Sequence, residues 1–227
     1  MITASTRLLG LIGNPVSHSL SPAMQNAALA ARGLDWAYLP LLVEAGRIEE
    51  ALRGLVGLGF AGANVTAPYK LDAARLSQSE LESVNTLIVE DGRLVGRSTD
   101  AAILDGLASE RPVILGDGGS AVAFREALPG ARQFARKGEW PPDAAGADLV
   151  VNATAAREEV LVDLGPGQTL VDLPYPETAT ARAARAAGAT VVDGLEVLVA
   201  QGAASFELWT GIPAPVEVMR AAVGLAP

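Results

Sequence analysis

Apolar positions in the first hundred residues come in short runs separated by stretches of helical periodicity. Residues 8–12, 36–43 and 61–65 read as strands and residues 22–32 and 47–58 as helices, an alternation that predicts an α/β layout. Ser21 ahead of Pro22 supplies an N-cap and an N1 proline for the first helix, and Gly33 just past Arg32 ends it, as a C′ glycine does. Residues 85–89 and 93–95 flank Glu90-Asp91-Gly92, and Asp-Gly between apolar runs predicts a β-hairpin. A helix is expected over residues 101–108. Beyond it, Arg111-Pro112 leads into Val113-Ile114-Leu115, then directly into Gly116-Asp117-Gly118-Gly119-Ser120 and a helix over residues 121–128. Strands at 149–151, 170–172 and 190–192, with a helix at 178–187, continue a βαβ rhythm that favours a parallel sheet. Helices at 195–208 and 216–223 complete the pattern.

Composition narrows the chemistry. The chain has 227 residues, half of them hydrophobic, enough for one large domain or two smaller ones at roughly 100–200 residues each. Lys and Arg number 17 against 26 Asp and Glu, a net charge of −9, so a nucleic-acid partner has no electrostatic basis. With no Cys and a single His, His18, disulfides, thiolate nucleophiles, Cys-ligated zinc and sites needing two imidazoles are excluded, and no metal site is expected. No basic start followed by an apolar core, and no run of about 18 apolar residues, marks a signal or a membrane span. The expectation is a soluble cytoplasmic protein.

The glycine turn is the first candidate site. Gly116-x-Gly118-x-x-Ala121 lies between a strand and a helix, where glycines permit a tight turn and helix N–H groups can receive a pyrophosphate. The alternative is an ordinary glycine-rich βα loop, and Asp117 would repel a phosphate unless its side chain points outward. About 20 residues past the first glycine, where an acidic residue marks NAD and a basic one NADP, the chain has Arg136-Lys137. That favours NADP, against the reading of two solvated surface charges.

In the first half, Asn64-Val65-Thr66-Ala67-Pro68-Tyr69-Lys70 and Ser98-Thr99-Asp100 place polar groups where apolar runs end, as in a ligand cleft. Without Cys or a second His, a Lys–Asp pair, Lys70 with Asp100, is the natural proton-transfer candidate. A lone Lys, with an ordinary pKa near 10.4, acts as a base only if burial or another charge lowers it, and an adjacent Asp works the other way. Otherwise Lys70 is a surface ion-pair residue and Asp100 an N-cap. Ser17, Ser19 and Ser21 beside the start of the first helix suit a carboxylate ligand, or simple capping by Ser21. His18 is assigned no role.

Several of these segments together resemble the shikimate dehydrogenase family, which includes the quinate dehydrogenases. Gly13-Asn14-Pro15 through His18-Ser19-Leu20-Ser21-Pro22, the Asn64–Lys70 run, Ser83-Val84-Asn85-Thr86 and Ser98-Thr99-Asp100 occur in the family's order and spacing. So do Asp172-Leu173-Pro174-Tyr175-Pro176-Glu177-Thr178, Asp193-Gly194-Leu195 and the Gln201-Gly202-Ala203-Ala204-Ser205 segment. The resemblance covers nearly the whole chain. It implies a two-domain α/β fold: residues 1–101 bind substrate, helices at 195–227 pack back onto them, and residues 102–194 form a shortened Rossmann-type NADP domain.

The implied reaction is NADPH-dependent, reversible reduction of 3-dehydroshikimate to shikimate in aromatic amino-acid biosynthesis. By the resemblance, Lys70 and Asp100 relay the proton, and Ser19 and Ser21 hold the substrate carboxylate. Asn64, Thr66, Asn85, Asp100 and Gln201 bind ring hydroxyls, with Tyr175 near the substrate. Gly116, Gly118, Gly119, Ser120, Arg136, Thr154 and Gly194 would bind the cofactor. The protein is expected to be a monomer or a homodimer, taking a small-molecule substrate and neither nucleic acid nor membrane.

Departures from the family pattern fall on the cofactor side. An Asn-Arg-Thr-like triplet is absent, Ala155-Ala156-Arg157 follows Asn152-Ala153-Thr154, and Val197 stands where the family has methionine. Only 12 steps (148 − 136) separate Arg136 from Asp148, so a helix and a strand are missing; a βαβ crossover needs about 10–12 residues for its own elements. Either residues 132–135 are the second strand of the domain, or that strand is lost and they are the third. Weakened NADP binding is expected. The alternatives are a quinate or other hydroxy-acid dehydrogenase of the same family, hinted at by Ser98, and a non-catalytic shikimate-binding protein.

Overall fold

The first apolar run forms strand β1 (Arg7–Gly13), in which Leu9, Leu11 and Ile12 are buried. In this computed structural model, which describes residues 2–226, the chain divides into two compact units, with boundaries after Thr99 and before Val199.

The first unit continues with α1 (Ser21–Ala31), β2 (Trp36–Leu42), α2 (Ile48–Gly57), β3 (Gly62–Val65), α3 (Lys70–Leu76), β4 (Thr86–Glu90) and β5 (Arg93–Arg97). Its sheet runs β2-β1-β3-β4-β5, with β2, β1 and β3 parallel and the last pairs antiparallel. The predicted hairpin is β4–β5: Asp91 and Gly92 take φ of 49° and 72°, the left-handed pair that a two-residue turn requires. Helix α2 buries Ile48, Leu52 and Leu55, spaced i, i+4, i+7, in a core with Val65 and Leu87. Each such side chain contributes roughly 1.5–3 kcal/mol on burial.

Two local expectations are corrected here. Helix α1 begins one residue earlier than its pattern implied, with Leu20 rather than Ser21 at the N-cap and no side-chain cap; instead Ser19 Oγ accepts the Ser21 N–H at 3.2 Å, turning the chain into the helix. Helix α3, starting at Lys70, was not legible as an element, because only seven residues carry its period.

The second unit opens with a 3-10 turn (Asp100–Leu104), not the helix expected over 101–108. Gly106, at φ 83°, and Pro112 leave no room to propagate it. Then come β6 (Pro112–Leu115), α4 (Gly119–Ala127), β7 (Arg132–Phe134), β8 (Leu149–Asn152), β9 (Thr169–Asp172), α5 (Ala179–Ala186) and β10 (Thr190–Val192). All pairs are parallel, in the order β10-β9-β8-β6-β7.

This order decides between the two alignments of residues 132–135. Strand β7 follows α4 and pairs directly with β6 at the sheet edge, so it is the second strand; the missing helix and strand are those that would extend the sheet beyond it. Residues 135–148 instead return to β8 as irregular chain. A turn in which Gly138 N–H donates to Ala135 O (2.8 Å) and Ala135 N–H to Glu139 O (3.1 Å) starts that return, and Trp140 packs on the core formed by Val113, Phe134 and Val150.

Helix α6 (Gly194–Thr210) runs through the boundary at Val199. Within the first unit, its later turns bury Phe206 and set Trp209 Nε1 on Leu87 O at 2.9 Å, and the last helix, α7 (Val216–Ala222), packs on α1.

Candidate active site

In the first unit the polar positions that end β3 and begin β4 meet in a buried network. Asn64 on β3 stands opposite Thr86 on β4. Its Nδ2 donates towards Asn85 O (3.1 Å), Thr86 Oγ1 (3.1 Å) and Ser205 Oγ (3.0 Å), while its Oδ1 accepts the Tyr38 hydroxyl at 2.8 Å. The amide is thus saturated by the protein. Asn64, expected to bind a ring hydroxyl, makes all of these bonds within the protein.

Asn85 belongs to the same network. Its Oδ1 accepts the Thr99 N–H at 2.7 Å, and its Nδ2 donates to Thr99 Oγ1 at 2.9 Å and reaches Gln201 Oε1 at 3.5 Å. The longest of these, at the limit of a hydrogen bond, is the one most readily exchanged for a ligand group. Ser205, one turn beyond Gln201 on α6, joins Thr86 (2.9 Å) and Thr99 (3.0 Å) and donates to Gln201 O at 2.9 Å. The structure therefore brings Asn64, Asn85 and Gln201 together.

Thr66, half-buried, and Lys70, buried, follow β3 through one turn, in which Tyr69 N–H donates to Thr66 O at 3.0 Å. Tyr69 OH anchors this turn on Val43 O at 2.7 Å. Ser19 is half-buried and Ser21 buried at the start of α1. Tyr38, Thr86, Thr99 and Ser205 were not singled out from the sequence. For Ser205 the available signal was its i+4 spacing from Gln201, which puts both on one helix face.

The second unit carries the remaining positions. Asp100 is buried at the first position of the 3-10 turn. Gly116, at φ 119°, ends β6 so close to β8 that a Cβ would fall 2.9 Å from Ala153 O, whereas the space over Gly118 is open. Helix α4 starts at Gly119 with no side-chain cap, which leaves a helix N-terminus suited to an anion. Asp117 is exposed and turned towards Lys137 (3.9 Å), so its charge points out of the turn. Arg136 pairs with Glu159 and stacks over the Trp140 ring, 4.9 Å from its centroid.

At the carboxyl ends of β8 and β9, Asn152 and Asp172 stand opposite each other. Asn152 Nδ2 donates to Asp172 Oδ1 at 2.7 Å, and its Oδ1 accepts the N–H (3.1 Å) and hydroxyl (2.8 Å) of Thr154. Burial pushes the Asp172 carboxyl above the usual carboxylate range, opposed by Asn152 and Thr178 and reinforced by the charge of Asp193. Gly194 begins α6 against this edge: a Cβ there would fall 2.4 Å from Pro174 O and 2.6 Å from Leu173 O. Tyr175 is half-buried, its carbonyl accepting Arg157 at 2.5 Å.

The glycine turn with open space above it, the uncapped helix and the β8–β9 loops fit a dinucleotide. Among the described residues no cluster of His, Asp and Glu suits a metal ion, and no helix is long and apolar enough to cross a membrane.

Comparison with known proteins bears on both units. Residues 11–87 match the shikimate dehydrogenase substrate binding domain, and residues 194–223 the shikimate 5′-dehydrogenase C-terminal domain. The NADP(+) shikimate dehydrogenase of Moorella thermoacetica is 38% identical over 96% of this chain and 92% of its own. That of Anaeromyxobacter dehalogenans is 39% identical over 98% of each. The Moorella alignment spans 273 positions, more than the chain has residues, so this chain carries deletions relative to that enzyme. Among solved structures, the shikimate dehydrogenase of Thermus thermophilus in complex with NADP(H) and shikimate has a TM-score of 0.83 at 30% identity, covering 96% of this chain and 98% of that one. A shikimate dehydrogenase in complex with NADP+ reaches a TM-score of 0.85 at 29% identity, over 98% of this chain and 96% of that one. By sequence over nearly its whole length and by fold, the chain belongs to the shikimate dehydrogenase family.

Proposed function

We propose that the protein is an NADP-dependent shikimate dehydrogenase of the cytoplasm, interconverting 3-dehydroshikimate and shikimate in aromatic amino-acid biosynthesis. The observation that carries this is the largely buried Asn85–Thr99–Gln201–Ser205 network, in a chain 38–39% identical to NADP(+) shikimate dehydrogenases along its length. Residues 1–101 with 195–227 form the substrate part and residues 102–194 the cofactor part, and the protein works as a monomer or homodimer.

In this reading Ser19 and Ser21, at the amino end of α1, hold the substrate carboxylate, the helix end favouring an anion. Asn64, Thr66, Asn85, Asp100 and Gln201 orient the ring hydroxyls, and Tyr175 is near the substrate. When bound, the dinucleotide supplies or accepts the hydride. Lys70 gives a proton to the substrate oxygen in the reducing direction and takes it back in the oxidising one. Asp100 is the acidic partner assigned to that relay. Gly116, Gly118, Gly119 and Ser120 receive the pyrophosphate, Thr154 and Gly194 border the nicotinamide, and Arg136 takes the 2′-phosphate. Its pair with Glu159 is exposed and, contributing little, is exchangeable for a phosphate.

The test is the rise in NADPH absorbance when purified protein meets shikimate and NADP, with NAD and quinate as parallel arms. Saturable turnover with shikimate and NADP is expected, which would show that the strand beyond β7 is dispensable. Faster turnover with quinate would reassign the substrate. No turnover with any pairing, in folded protein that binds shikimate calorimetrically, would make it a binding protein.

A further inference from the structure

We infer that Gln25 is a positioning residue for the substrate, setting Gln201 through the backbone of its neighbour Gly202; the inference rests on the shikimate-binding reading above. Gln25 lies one helical turn after Ser21 on α1, so the two share a face, and both are buried. Gln25 Nε2 donates to Gly202 O at 2.9 Å, across 177 residues of sequence. Met24 fills the notch that glycine leaves there: a Cβ on Gly202 would fall 2.2 Å from Met24 Cε. The turn of α6 that carries Gln201 is therefore held from two sides, at Gly202 by α1 and at Ser205 by Asn64, Thr86 and Thr99.

The other half of the Gln25 amide shows that folding alone does not explain the residue. Its Oε1 is fully buried and has no hydrogen-bond partner. Exchanging oxygen and nitrogen would set two oxygens face to face at Gly202, so the assignment is fixed by the network. A buried amide satisfied on one side only is costlier than an apolar side chain of the same length. What the amide supplies in return is register: it ties the helix that begins at Ser21, two residues after Ser19, to the helix that presents Gln201, and all three side chains are assigned to the substrate in the reading above.

The test is Gln25→Met, which keeps the length and removes donor and acceptor. Calorimetry with shikimate is expected to show about tenfold weaker binding, while NADPH binding by fluorescence and the midpoint of thermal unfolding stay unchanged or, for the midpoint, rise. In a Gln201→Ala background the same substitution is expected to leave shikimate affinity unchanged, because its effect passes through Gln201. Unchanged affinity of Gln25→Met, or an equal loss with and without Gln201, would overturn the inference. A variant that does not fold would overturn it too, by making Gln25 a structural residue. Failure of the unaltered protein to bind shikimate would overturn the substrate reading and this inference with it, and the wild-type titration distinguishes that case.

Discussion

Tyr38→Phe isolates one bond beneath the candidate site. The substitution removes only the phenol oxygen and keeps the ring, whose centroid lies 6.0 Å from that of Trp209. Asn64 Oδ1 then loses the donor 2.8 Å away, and Asn64 is buried with its Nδ2 already committed to Asn85, Thr86 and Ser205. Stranding a buried acceptor costs about 1–3 kcal/mol. In a chain of this size each kcal/mol corresponds to about 2–4 °C of melting temperature. Urea unfolding followed by tryptophan fluorescence should show the loss, and the KM for shikimate should rise by less than about tenfold with the KM for NADP unmoved. The decisive control is the same substitution in an Asn64→Ala background, where no oxygen is left to strand and Tyr38→Phe should cost much less. Equal costs in the two backgrounds would refute the argument.

Other consequences are as direct. Lys70→Ala should lower kcat by at least about a hundredfold, the ordinary worth of a positioned proton donor, with shikimate affinity by calorimetry largely kept; unchanged turnover would remove Lys70 from the mechanism. Gly194→Ala forces a Cβ against Pro174 O and Leu173 O and, as overpacking against backbone, should cost about 1–3 kcal/mol, with NADPH binding weakened more than shikimate binding in fluorescence titrations. Asp172 has a raised native pKa, so its contribution to stability is complete below the unfolded carboxylate pKa of about 3.9 and is lost as pH climbs through the native value. Asp172→Asn removes that titration, and the difference in unfolding free energy should therefore shift in the variant's favour as pH rises above about 4; parallel profiles would exclude it.

Much of the frame was legible from local signals. The hairpin at Asp91-Gly92 followed from the left-handed backbone its turn demands, the glycine turn from its place between an apolar run and a helix, and α2 from the spacing of Ile48, Leu52 and Leu55. Short or irregular elements were not: α3 has seven residues, and the stretch after Asp100 closes as a 3-10 turn.

The sequence by itself determined the α/β rhythm, the family resemblance and which residue types carry the chemistry, because periodicity, turn chemistry and motif spacing are properties of neighbouring residues. It also showed that a helix and a strand are missing from the second unit, since 12 steps cannot hold them. Only the tertiary structure decided which strand was lost, through the pairing of β7 with β6. The same holds for the Asn64 amide, shared with Ser205 at a separation of 141 residues, and for Gln25 reaching Gly202. Such bonds join groups that become neighbours only when helices and sheet pack, and no local pattern announces which buried amide will meet which carbonyl.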